Sequence, residues 1–380
     1  MLPPGGRQPT SLGKRVDGLK KAQGTQGKMS HSCPFMVQSV PMNITESKYN
    51  SFALVREMLE TPELIGRFDF GRVQNIARQV KAAGKLFIAG EGSSRIFPAK
   101  NFIDRVRRSG LDLTLATEGS RQCMDYDLSQ WAVIASSNSG QTAETIDLLV
   151  KLVKEGHPKR FAVTANPQGK IIEFTNESIV LTCGKEKAVA ATKSVVEQAL
   201  VYQSLLCMMT DCGCPRAATQ AERLGQQILE AEYEPSMIEA LAQAGTVYWA
   251  GRNNGVAEEL TLKTYEIARQ KSGFLEGTYL LHGVEEIMQP HDVLVLVDPF
   301  EAEWGRIQQR YVDALKMKII AIAPKQTPFD TIIVPTLASY DSYLQLFAGW
   351  NLLVQIGVAH HLNLDKPQRA RKIGNEYIPV

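Results

Sequence analysis

The sequence lacks an excess of charge of either sign: 42 Lys and Arg stand against 40 Asp and Glu, a formal net charge of +2. With no global field, no nucleic-acid or membrane partner is expected, and small-molecule chemistry or protein assembly is the starting point. Paired cysteines are also missing. Cys33, Cys123, Cys183, Cys207, Cys212 and Cys214 include no CxxC spacing, and no secretory leader precedes them, so reduced thiols in a cytoplasmic protein are expected. Cys212-Gly-Cys214 reads as a loop, and no metal or redox cofactor is implied. The longest apolar run, Tyr343 to Leu362, is interrupted by Gln345, Asn351 and Gln355 and reads as a buried helix, not a bilayer span.

At 380 residues the chain is too long for one small domain, and about 150 residues per domain suggests two. Residues 1–45 are expected to form a disordered tail, because the first 28 or so are rich in Gly, Pro, Gln and Lys without apolar periodicity. The pattern is not that of a transit peptide.

From Tyr49 onward helical periodicity alternates with short β-rich runs, the pattern of a parallel sheet covered by helices. Lys85–Ala89 runs into Gly90-Glu91-Gly92-Ser93-Ser94-Arg95 and then a helix, and Thr246–Ala250 runs into Gly251-Arg252-Asn253-Asn254-Gly255 and then a helix. Gly251 lies 161 positions after Gly90, and the next strand ends at the same interval in both copies, Ser136 and Val297 each 47 positions after Ala89 and Ala250. This is an internal duplication. The expected fold is α/β, two tandem doubly wound parallel sheets with helices on both faces, at residues 46–213 and 214–365. A long helical segment near 215–244 joins them, and a C-terminal tail, 366–380, closes the site.

The two copies differ in one loop. The apolar run Trp131–Ile134 leads into Ser136-Ser137-Asn138-Ser139-Gly140-Gln141-Thr142, whereas the second copy has Asp298-Pro299-Phe300-Glu301-Ala302-Glu303, without a Ser or Thr. The carboxyl end of a strand feeding a helix N-terminus favours an anion. Ser137, Ser139 and Thr142, with the pliant Gly140 backbone, would cradle a phosphate. The alternative is a helix cap, for which one hydroxyl suffices. Arg95 stands where GxGxxG needs its third glycine, and no GxxxxGK[ST] occurs, so neither dinucleotide nor P-loop chemistry is supported.

Glu259, Lys263 and Glu266 recur at i, i+4 and i+7 on one helical face, placing a cation between two carboxylates at the ligand end of the second sheet. A solvated ion pair is the plain reading; a carboxylate there can also shuttle protons. His282 follows in "LLHG", off that face.

In this order, "REMLETP" (56–62), "GEGSS" (90–94), "SNSGQT" (137–142), "EKAVAATK" (186–193), "AGR" (250–252), "EELTLKTYE" (258–266), "LHG" (281–283) and "KPQRARK" (366–372) form a specific set. On them the chain resembles the tandem sugar isomerase (SIS) domain family, most closely the isomerase half of the glutamine–fructose-6-phosphate aminotransferases. The resemblance implies that Ser93, Ser94, Ser137, Asn138, Ser139 and Thr142 bind a sugar phosphate and that Val189 and Ala191 line the sugar site. It implies Glu266 as the base acting between C1 and C2, and His282 as the ring-opening acid/base, donated across a homodimer. It implies Lys372 as a Schiff-base lysine, with Glu259 and Lys263 in support.

The sequence departs from the family in Glu91, Asn138, Ala191 and Val284, and it carries no glutaminase half, so glutamine hydrolysis is not expected. Glu91, near a sugar, would recognise a hydroxyl or an amine. The expected function is ketose–aldose interconversion of amino-sugar or ketosamine 6-phosphates with uptake or release of an amine. A fructosamine-6-phosphate deglycase and a non-catalytic sugar-phosphate sensor are the alternatives.

Overall fold

Ten strands alternate with helices in a computed structural model that describes residues 46–210 and 216–378. The basic tail, Cys212 and Cys214 lie outside the described residues. The strands are β1 (Lys85–Gly90), β2 (Thr114–Glu118), β3 (Ala132–Ser136), β4 (Arg160–Thr164), β5 (Glu177–Val180), β6 (Val247–Gly251), β7 (Ser272–Glu276), β8 (Val293–Val297), β9 (Lys318–Ala323) and β10 (Asp330–Ile333). They form two five-stranded parallel sheets, ordered β2-β1-β3-β4-β5 and β10-β9-β8-β6-β7. Renumbered within its own half, the second sheet has the order of the first read backwards, so the duplication seen in the sequence is a duplication of topology.

The central strands are apolar along their whole length because both faces are covered: β3, β6 and β8 are buried at every position. Two strands escaped the sequence reading. β2 (TLATE) and β7 (SGFLE) are half-exposed edge strands, so neither carries the continuous apolar run of the interior. The strand found 47 positions after each first strand is therefore the third of its half.

In each half the order reverses beside the first strand, which opens a crevice at the carboxyl ends of β1 and β3 and of β6 and β8. Backbone approaches closely there. A Cβ on Gly90 would lie 2.9 Å from Ser136 O, and one on Gly251 would lie 2.7 Å from Val297 O, so only glycine fits at either crevice.

The packing crosses residue 213. The largest apolar cluster joins Val247, Trp249, Val293 and Val295 of the second sheet to Leu54, Val55 and Met58 of the Ala53–Leu59 helix. It also takes in Val195, Val196, Ala199 and Leu200 from the helix Lys193–Met209. The same helix sends Val201, Tyr202 and Leu205 into the core under the first sheet, beside Ile88 and Ile134. One buried helix thus fixes the two crevices relative to each other.

The segment read as one long helix near 215–244 is two, Ala218–Leu229 and Pro235–Ala242. Pro235 starts the second helix, where its missing N–H costs nothing, and disfavours helix before it. The run from Tyr343 forms a helix, Asp341–Ala359, buried along most of its length. Among the described residues no helix is long and apolar enough to cross a membrane.

Candidate active site

At the end of β3 the chain turns through Ser137–Thr142 into the helix Ala143–Lys154. Gly140 takes the left-handed conformation, φ 66°, and packs against Gly169, which a side chain would prevent. Ser137 Oγ lies 2.8 Å from Thr142 Oγ1 and accepts from Gly140 N, and Ser139 Oγ accepts from Gln141 N. Thr142 is the N-cap residue, yet its side chain makes no cap hydrogen bond. The hydroxyls of Ser137, Ser139 and Thr142 therefore converge at the positive end of a helix without capping it, an arrangement suited to an anion.

A strand-like segment near the C-terminus lies over this turn. Ala143 N donates to Asn375 O, Tyr377 N donates to Gln141 O at 2.8 Å, and Asn375 Nδ2 reaches Glu144 Oε1.

Asn138 turns away from the hydroxyls, and its Nδ2 donates to Glu186 Oε2 at 3.0 Å. Glu186 is a buried hub. Its carboxylate also accepts from Thr192 N, Thr192 Oγ1, Lys193 N and Ser194 Oγ, so it caps the helix Lys193–Met209 and shapes the loop before it. Val189 and Ala191 lie half-buried on that loop. Between them and Glu186, Ala188 O accepts from Lys372 Nζ at 2.5 Å. Burial pushes the Lys372 ammonium below its ordinary pKa, and the carboxylates of Glu186 and Glu57 oppose that.

The second half contributes the helix Val256–Lys263, followed by a π-helical turn, Thr264–Ala268, that the heptad-like spacing did not foretell. The turn still leaves Glu266 beside Lys263. Lys263 Nζ lies 2.6 Å from Glu266 Oε2, 3.5 Å from Glu259 Oε1 and 2.8 Å from Ser93 Oγ. Lys263 and Glu259 are fully buried and Glu266 keeps 29% of its side chain exposed, so this is no solvated surface pair. Burial disfavours the Lys263 cation, but Glu266 and Glu259 outweigh it and hold its pKa above the ordinary value. Burial raises Glu259, with Lys263 acting against it.

Ser93 belongs to the turn after β1, which Ser94 completes. The structure thus gathers Ser93, Glu259, Lys263 and Glu266 from both halves. At longer range Lys263 opposes and Glu266 favours the charged form of Lys372.

Other residues stand apart from this cluster. Glu91, expected to read a sugar hydroxyl or amine, accepts from Ser120 N at 2.7 Å, because its carboxylate is drawn to the free N–H of a short helix. In the second half the corresponding crevice carries an ion pair in place of hydroxyls: Arg252 Nε donates to Asp298 Oδ2 at 2.6 Å, and the guanidinium stacks on Phe300. His282 is not drawn into the Lys263 cluster. It is exposed at the edge of an open cavity of about 710 Å³ lined by Phe274, Glu276, Thr278, Tyr279 and Phe300. Among the described residues no group of three or more His, Cys, Asp or Glu could hold a metal.

Glu57 and Glu186 were not singled out in the sequence, although both stand inside quoted motifs. A buried carboxylate in a loop or a short helix carries no periodic signal, and only its acceptance of several backbone N–H groups reveals it.

Comparisons with known proteins agree with this architecture. Residues 129–208 match the SIS domain family. The chain is 27% identical over 352 residues to a glutamine–fructose-6-phosphate aminotransferase (isomerizing) of Streptococcus pneumoniae, covering 84% of this chain and 58% of the relative, so it spans a little over half of that protein. Among solved structures it is similar to tagatose-6-phosphate ketose/aldose isomerase from Escherichia coli, with a TM-score of 0.68 and 15% identity over 87% of this chain and all (100%) of the other. It is also similar to glucosamine-6-phosphate deaminase from Thermotoga maritima, with a TM-score of 0.64 and 15% identity over 84% of this chain and 99% of the other.

Proposed function

We propose that this chain, which carries a SIS domain and is homologous to the isomerase region of the glutamine–fructose-6-phosphate aminotransferases, interconverts the ketose and aldose forms of an amino-sugar or ketosamine 6-phosphate with uptake or release of an amine. The observation that carries the proposal is the buried Lys263 ammonium, which ties Glu266 and Glu259 of one half to Ser93 of the other. A fully buried charge is costly and needs partners. Here the partners leave one carboxylate, Glu266, partly open beside a hydroxyl-lined turn.

In this reading Ser137, Ser139 and Thr142, with Ser93, Ser94 and the Asn138 backbone, hold the phosphate at the N-terminus of the helix Ala143–Lys154. Val189 and Ala191 flank the sugar. His282 of a second copy opens the ring by moving a proton between the hemiketal hydroxyl and the ring oxygen, and the active assembly is a homodimer with shared sites. Lys372 Nζ adds to the exposed C2 carbonyl, and water leaves to give a Schiff base. An amine then replaces Lys372 at C2. Glu266 takes a proton from C1 and returns it to C2 while the O1 hydroxyl proton passes to the imine nitrogen, so the ketose imine becomes a 2-amino aldose; release of an amine is the same path reversed.

Lys263 fixes the Glu266 carboxylate at 2.6 Å, and Glu259 keeps Lys263 in place. The test is direct turnover. Glucosamine 6-phosphate should yield fructose 6-phosphate and ammonia, or fructose 6-phosphate with ammonia should yield an amino sugar. Binding of these sugars with no conversion in either direction, and no release of amine from a fructosamine 6-phosphate, would make the chain a sensor and sink the proposal.

A further inference from the structure

The Ala53–Leu59 helix meets the C-terminal segment directly at its start and, one turn on, through the backbone of residues 187–188. At its start, Ala53 N and Leu54 N donate to Asp365 Oδ2 and Oδ1 at 2.7 and 2.8 Å. The flanking chain is pinned by Arg269 Nη2, which donates to Asn363 O and Lys366 O. One turn on, Glu57 is buried, with 6% of its surface exposed, although it carries no countercharge in direct contact. Its Oε1 accepts from Lys187 N at 2.5 Å and its Oε2 from Ala188 N at 3.2 Å. The carbonyl of that same Ala188 is the acceptor for Lys372 Nζ.

A buried carboxylate is retained at a cost, and a packed apolar residue would do better if the position served packing alone. Glu57 is instead spent on two consecutive N–H groups of a loop 130 residues away. Fixing those N–H groups fixes the orientation of the Ala188 carbonyl, and with it the place where the lysine stops. The charge of Glu57 also acts on the Lys372 ammonium.

We propose that Glu57 is a positioning residue for Lys372: it holds the 187–188 backbone so that Ala188 O seats the lysine at the sugar site. The inference rests on the reading of Lys372 as the amine that engages an open-chain ketose, and it adds a residue that neither the family resemblance nor the expected site includes. Ordering such a group matters because misplacing a reacting atom by about 1 Å can cost on the order of 100-fold in rate.

The experiment is reductive trapping on the full chain. Fructose 6-phosphate and borohydride are added to the wild type, Glu57→Gln and Glu57→Asp, and the reduced adduct at Lys372 is quantified by peptide mass spectrometry. Stabilisation by inorganic phosphate is followed by thermal shift in parallel. The expected result is an adduct at Lys372 in the wild type, lowered about 10- to 100-fold in Glu57→Gln, while phosphate still raises the melting temperature. Glu57→Asp keeps the charge but not the reach, so its adduct should be intermediate; it also stands in if Glu57→Gln does not fold.

Wild-type levels of adduct in either variant would overturn the role of Glu57 and leave that of Lys372 standing. Loss of phosphate stabilisation together with the adduct would make Glu57 a general scaffold residue and overturn the proposal. No adduct at Lys372 in the wild type would overturn the reading of Lys372, and the proposal with it.

Discussion

Lys263 and Ser93 stand 170 residues apart in the sequence and 2.8 Å apart in space, one from each half of the duplicated chain. Their hydrogen bond ties the carboxylate helix of the second sheet to the first crevice. The candidate site is a property of the pair of sheets.

Glu266 is expected to carry the proton transfer. Glu266→Gln should lower turnover of glucosamine 6-phosphate by about 100-fold or more, the usual share of one general base, while fructose 6-phosphate still raises the melting temperature. An unchanged rate would remove Glu266 from the chemistry.

Lys263 should matter for folding as well as for function. Lys263→Met leaves Glu259 buried without its countercharge and should cost about 3–5 kcal/mol in urea unfolding; adding Glu259→Gln should recover part of that. The pH dependence has a definite sign. Because the folded pKa of Lys263 is raised, its contribution is full below its ordinary value of 10.5 and is lost as the pH rises through the folded value. Stability that falls less steeply on alkaline titration in Lys263→Met than in the wild type would bear this out.

The phosphate turn can be tested at Thr142, whose hydroxyl pairs with Ser137 Oγ and makes no cap bond. Thr142→Val should leave the unliganded melting temperature nearly unchanged but weaken binding of fructose 6-phosphate by about 10-fold, the loss of one hydrogen bond to a charged group. A helix cap would behave oppositely, costing about 1 kcal/mol of stability with no effect on binding.

Sharing of sites between copies predicts complementation. Glu266→Gln and His282→Ala chains, each nearly inactive alone, should regain up to about a quarter of wild-type activity when co-assembled, since random pairing restores one intact site in half of the dimers. A mixture that stays inactive although chain exchange is verified would rule out donation of His282.

Much of this was legible in the residues, for physical reasons. The interior strands announce themselves because burial on both faces demands unbroken apolar runs, and Glu259, Lys263 and Glu266 because a helix repeats its face. The edge strands β2 and β7 were silent because half-exposed strands tolerate polar residues. Glu57 and Glu186 were silent for another reason: Glu57 binds only backbone N–H groups, which leave no mark on the identity of the partner residue, and Glu186 divides its bonds between such groups and side chains scattered along the chain. The bond from Ser120 N to Glu91 was not legible either, because proximity to a crevice does not fix where a side chain points.

The paired glycines at the two strand ends divide the constraints on this chain into two kinds. Gly90 borders the crevice that holds the hydroxyl turn, and Gly251 borders one occupied by its own arginine and aspartate. Both abut a carbonyl too closely for any side chain, so a survey of tolerated substitutions scored by folding would find the two positions equally strict. The neighbouring loops would part company in a survey scored by ligand binding. Around Gly90 the hydroxyls would become intolerant of change, while around Gly251 the sequence would remain free wherever the ion pair and its ring survive. The architecture thus repeats one glycine constraint at both strand ends, while the loops beside them carry different chemistry, hydroxyls in one half and an ion pair in the other.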